Sequence, residues 1–97
     1  MPSKDALYAI AYDITEDAER RQVEKILKDF GWRAQKSVFE CRLSAAGLGH
    51  LTGRLKAMEL ASGFVSLYRL SSRSGRRDIG KTPERPHQEE RDHAFLF

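Results

Sequence analysis

An α+β fold, with two helices laid on one face of a small antiparallel sheet, is predicted by three features of this sequence. A continuous apolar run, Leu7 to Tyr12, is followed by a helical stripe at Val23, Ile26, Leu27 and Phe30. A β-rich segment, Trp32 to Leu43, leads into a second helical stripe at Leu48, Leu51, Leu55 and Met58. A further β-type run then spans Phe64 to Leu70. Strand and helix periods therefore alternate along the chain, and the ferredoxin-like βαββαβ sandwich is the natural way to bury both helical stripes. With 97 residues, 40% of them apolar and 32% charged, the chain is long enough for one small domain. A domain of this size hides only about 60 to 65% of its unfolded surface, so self-association into an oligomer is expected to supply further burial.

Leu7-Tyr8-Ala9-Ile10-Ala11-Tyr12 ends at Asp13 and suits a strand covered on both faces at the middle of the sheet. Thr15 is expected to cap the first helix, whose opening turn carries Glu16 and Asp17 where the helix dipole favours negative charge. Its apolar stripe stops at Gly31, and its other face mixes Arg20, Arg21, Lys25 and Lys28 with Glu19, Glu24 and Asp29. In the β-rich segment Phe39, Cys41 and Leu43 alternate with Glu40 and Arg42, a pattern that fits one bent strand or a tight hairpin. Ser44 caps the second helix, in which Gly47, Gly49 and Gly53 each cost about 1 kcal/mol relative to alanine, so packing must hold it.

Ser71 to Lys81 is a Ser/Gly/Arg loop, and residues 1–81 are expected to form the ferredoxin-like domain. Residues 82–97 carry Pro83, Pro86 and mixed charge and are expected to be a linker. They end in the apolar Ala94-Phe95-Leu96-Phe97, which is expected to return as an extra C-terminal strand on a sheet edge of its own chain or of a partner. The single cysteine, Cys41, excludes an internal disulfide framework and a thiolate cluster, so the chain reads as reduced and cytoplasmic. The six-residue apolar run is too short for a signal core or a bilayer span, and no membrane role is expected.

No phosphate-binding glycine loop, nucleophile elbow or H-E-x-x-H pair occurs. His50 reads as a surface residue, and His87 and His93, which flank Glu89 and Glu90, read as a solvated tail. Asp13 is different, because it leaves a rigid strand while still reaching water. That geometry suits an oxygen ligand to a hard cation such as Mg²⁺, though the same position also suits a turn-forming residue. One carboxylate makes a poor metal site, but a twofold dimer brings two copies to the axis. The net charge of +3 permits a polyanionic partner. Arg20, Arg21, Arg33, Lys36, Arg73, Arg76 and Arg77 form a candidate set of phosphate contacts for duplex nucleic acid, which needs no base-reading motif.

Tyr12-Asp13-Ile14-Thr15, then Arg20, then Arg33-Ala34-Gln35-Lys36-Ser37-Val38-Phe39-Glu40, closely resemble the Cas-two family, the smaller core protein of CRISPR adaptation. The resemblance extends more loosely over the second helix, Tyr68-Arg69-Leu70, Ile79-Gly80 and the terminal strand. It implies a homodimer whose terminal strand packs on the partner's sheet, placed between two dimers of the Cas-one integrase and spanning duplex DNA. Some members of the family are described as metal-dependent endonucleases on single-stranded RNA or double-stranded DNA. For them the resemblance implies Asp13 as catalytic residue and Mg²⁺ ligand, the ion being held weakly and shared across the dimer axis. Arg20, Arg33 and Phe39 fall on positions tied to that activity, with Ser37 and Phe39 in supporting places. A basic position common in the family two residues after Arg20 is Gln22 here. Three functions are thus in competition: a structural subunit of spacer acquisition, a stand-alone endonuclease, and a partner-binding regulator that would leave the arginine loop unexplained.

Overall fold

The computed structural model describes residues 5–71 and 77–82. The order is β1 (Ala6–Ile14), α1 (Asp17–Lys28), β2 (Gly31–Gln35), β3 (Val38–Leu43), α2 (Ala45–Ala57) and β4 (Gly63–Leu70). The four strands form one antiparallel sheet in the order β2-β3-β1-β4, which gives the expected βαββαβ pattern with β1 inside the sheet. The expected terminal strand over Ala94–Phe97, with Arg73 and Arg76, lies outside the described residues.

Alternation along β1 sorts its side chains into two sets. Ile10, Tyr12 and Ile14 point to the helices and join Val23, Ile26 and Leu27 of α1, Phe39, Cys41 and Leu43 of β3, and Leu51 and Leu55 of α2 in the core. Leu7, Ala9, Ala11 and Asp13 point to the opposite face, open in that no described helix covers it, although Leu7, Trp32 and Glu40 are buried there. The register puts Phe64 beside Asp13 and Tyr68 beside Ala9, so both aromatics share that open face, where they are 59% and 57% exposed. As an edge strand, β4 has no fully buried residue, although its sequence is apolar on both sides.

Trp32 to Leu43 is a hairpin, with Gln35 facing Val38 across the two-residue turn Lys36–Ser37. A register shift between Arg33 and Gln35 inserts Ala34 as a bulge, which bends β2 and breaks the alternation that would have announced two strands. Glu16, not Thr15, caps α1, its carboxylate accepting from the Glu19 N–H at 3.3 Å. Thr15 instead donates its N–H and its hydroxyl to the Ser62 carbonyl, at 3.0 and 3.1 Å. Ser44 caps α2 as expected, accepting from Gly47 N–H at 3.0 Å. At the far end of α2, Glu59 takes the left-handed conformation (φ 53°) that a glycine would adopt at lower cost.

Candidate functional site

Asp13 is the penultimate residue of β1, exposed on the open face, where the chain leaves the sheet for α1. Three neighbouring segments fix its backbone. The Tyr12 N–H donates to the Ser37 carbonyl at 3.1 Å, tying the hairpin turn to β1 one residue earlier. On the other side, β4 starts at Gly63 so close to β1 that an added Cβ would stand 1.9 Å from the Asp13 carbonyl oxygen. Below it, Arg20 donates one guanidinium nitrogen to the Ile14 carbonyl at 3.0 Å and pairs through the other with Asp17.

The start of β4 is held by a polar clasp. The Glu19 carboxylate accepts from Ala61 N–H at 2.8 Å, Ser62 N–H at 3.0 Å and the Ser62 hydroxyl at 2.5 Å, and the Ser62 hydroxyl oxygen accepts from Glu16 N–H at 3.0 Å. The Ser62 hydroxyl first, and the Ala61 N–H next, hold the Glu19 carboxyl below its ordinary value.

A second network lies on the helix side, one residue from Asp13 and facing away from it. The buried Tyr12 hydroxyl donates to Glu24 Oε2 at 2.7 Å and accepts from Arg33 Nη1 at 3.2 Å. Arg33 Nη1 also donates to the Lys36 carbonyl at 2.6 Å, Nη2 stands 3.4 Å from Glu24 Oε1, and the guanidinium lies over the Phe39 ring at 5.0 Å. Burial, and then the hydrogen bond to Glu24, push the Tyr12 phenol up to about 12. Burial works against the charge of Glu24, but the Tyr12 hydrogen bond and the Arg33 charge outweigh it and keep that carboxyl below its ordinary value.

The predicted residues thus fall into separate places. Asp13, Arg20 and the Lys36–Ser37 turn gather at one end of the sheet. Arg21 on α1, Lys36 and Arg77 are exposed. Arg33 belongs to the helix-side network, and Phe39 is a fully buried core ring. Among the described residues, no three His, Cys, Asp or Glu side chains gather as a metal-binding group. Asp13 therefore offers a cation one carboxylate from one chain, which fits a hard ion only if a second copy, water or phosphate supplies the remaining oxygens. Glu24, Glu19 and Ser62 join the site without being among the candidates that the sequence marks. Glu24 had left a signal, a carboxylate bordering the apolar stripe of α1 beside Val23, matched by an arginine set between Trp32 and Ala34.

The model of the family described as CRISPR associated protein Cas2 matches residues 6–77. A Thermus thermophilus protein named CRISPR-associated endoribonuclease Cas2 is 44% identical over 55 residues, 57% of this chain and 58% of that protein. A protein from another Thermus thermophilus strain, named CRISPR-associated endonuclease Cas2 2, is 35% identical over 79 residues, 80% of this chain and 88% of its own length. The match to the first of these relatives takes in little more than half of its length. The crystal structure of a Thermus thermophilus protein described as hypothetical superposes with a TM-score of 0.70 at 33% identity, covering 84% of this chain and 98% of that one. A structure described as that of cas2 superposes at 0.71 with 28% identity, covering 81% and 91%. With the family's model spanning most of its length and its sheet and helices superposing on a solved member, this chain belongs to the CRISPR-associated Cas2 family.

Proposed function

We propose that the chain serves spacer acquisition as a dimeric structural subunit that binds protospacer duplex DNA and bridges dimers of the Cas-one integrase in the cytoplasm. The observation that carries this reading is the setting of Asp13: it is an exposed carboxylate at a strand end that belongs to no group of three or more His, Cys, Asp or Glu side chains among the described residues. Phe64 and Tyr68, exposed on the same face, support a second copy packing there, since a soluble monomer gains nothing from presenting two large aromatics together. Arg20, Arg21, Lys36 and Arg77, with Arg73 and Arg76, would supply phosphate contacts along the duplex.

The relatives' names, endoribonuclease and endonuclease, favour a second reading as a nuclease, for which we propose Mg²⁺ dependence and single-stranded RNA or double-stranded DNA as substrate. Asp13 from each copy would then hold the ion, which when bound activates water and offsets charge on the scissile phosphate. With two protein ligands the ion would be weakly held. Replacing Asp13 with Asn separates the two readings. In a reconstituted system with the integrase, duplex binding and spacer integration are expected to survive Asp13→Asn while any cleavage stops. Loss of integration in a folded, dimeric variant would overturn the structural reading in favour of the metal site.

A further inference from the structure

The Lys36–Ser37 turn, with Lys36 exposed and Ser37 half-buried, is a two-residue connection with no glycine or asparagine to favour a tight hairpin turn, and the strand before it is bulged. What shapes it is Arg33, whose Nη1 donates to the Lys36 carbonyl at 2.6 Å, together with the Tyr12 hydroxyl, which donates to the same carbonyl at 3.2 Å. Arg33 is itself fixed from three sides: by Glu24 at 3.4 Å, by the Tyr12 hydroxyl at 3.2 Å and by the Phe39 ring at 5.0 Å. The turn is also tied to β1 by the Tyr12 N–H, next to Asp13. The Arg33 guanidinium is shared among the Lys36 carbonyl, the Tyr12 hydroxyl, Glu24 and the Phe39 ring, whereas the Lys36 side chain is exposed.

Resting on the nucleic-acid reading above, we propose that Glu24 is a positioning residue for phosphate binding: through Arg33 it locks the turn so that Lys36 stands at the Asp13 end of the sheet as a preformed contact for a backbone phosphate. Lys36 makes the contact, and Arg33 shapes it.

The sign of one measurement isolates this role. Removing the Glu24 carboxylate makes the chain more positive, so simple electrostatics would tighten its grip on a polyanion. Positioning predicts the reverse. Binding of a short DNA duplex to the full chain, measured across a range of salt concentrations, is expected to weaken roughly threefold to tenfold in Lys36→Ala, with the log-log salt slope falling by about 0.9 for the lost phosphate. Glu24→Gln is expected to weaken binding in the same direction, and to add nothing when combined with Lys36→Ala. Tyr12→Phe, which leaves all charges in place, is the second variant, and the same loss is expected from it. Tighter or unchanged binding in Glu24→Gln and Tyr12→Phe, or additive losses in the double variant, would overturn the proposal alone. A flat salt dependence in the unaltered chain would overturn the nucleic-acid reading and this proposal together.

Discussion

Tyr12 and Asp13 are neighbours in one strand, yet they occupy opposite worlds. Tyr12 points into the helix layer, where its hydroxyl, the Glu24 carboxylate and the Arg33 guanidinium satisfy one another. Asp13 points out of the sheet beside exposed Phe64. The difference shows that a strand end in a two-layer fold can do two jobs at once: the side chain under the helices spends its polarity on the architecture, and the next one keeps its polarity for something outside. It also warns against grouping charged residues by closeness in sequence, since Arg33 and Asp13 are carried on opposite sides of the same sheet.

The contrast can be broken hardest from the buried side. Phe39 is fully enclosed between Tyr12, Arg33 and the helices, so Phe39→Ala should cost about 3 to 5 kcal/mol in chemical denaturation. A milder loss, with selective damage to nucleic-acid binding, would show the ring to be a contact residue instead of a core one. Next in size is Gly63→Ala, which drives a Cβ against the Asp13 carbonyl and is expected to destabilise by about 2 to 3 kcal/mol. An unchanged unfolding midpoint would show that β4 can move away from β1 at no expense. The smallest effect comes from acid. Glu24 titrates below 4.5 in the folded chain, so its stabilisation is present above that pH and disappears as pH falls through the lower folded value. The pH-stability curve of Glu24→Gln should therefore lack at most about 1 kcal/mol of the acid loss of the unaltered chain, and two coincident curves would contradict the Tyr12–Glu24–Arg33 linkage.

Much of this arrangement could be read from the residues. The Leu7–Tyr12 run and the stripes through Val23 to Phe30 and Leu48 to Met58 are long, periodic and apolar, and each became the expected element. The hairpin stayed undecided because the Ala34 bulge spoils the two-residue period and Lys36–Ser37 carries no turn signature. Thr15 looked like the cap because its hydroxyl type is right, but the hydroxyl is drawn away by a carbonyl 47 positions later, a pairing that local pattern cannot reveal. Asp13 was legible as a candidate from its place at a strand end. Which arginine is free and which is engaged was not, since that depends on how α1 crosses β2.

The clasp at Glu19 also bears on engineering. The stretch from Glu59 to Ser62 is short and at the surface, and so invites the insertion of a reporter or an affinity tag. The Ala61 and Ser62 amide hydrogens nevertheless tether it to the first helix, and the Ser62 carbonyl tethers it to Thr15 just past the first strand. Cargo spliced there would unfasten the edge strand, and with it the aromatic pair that the open face displays.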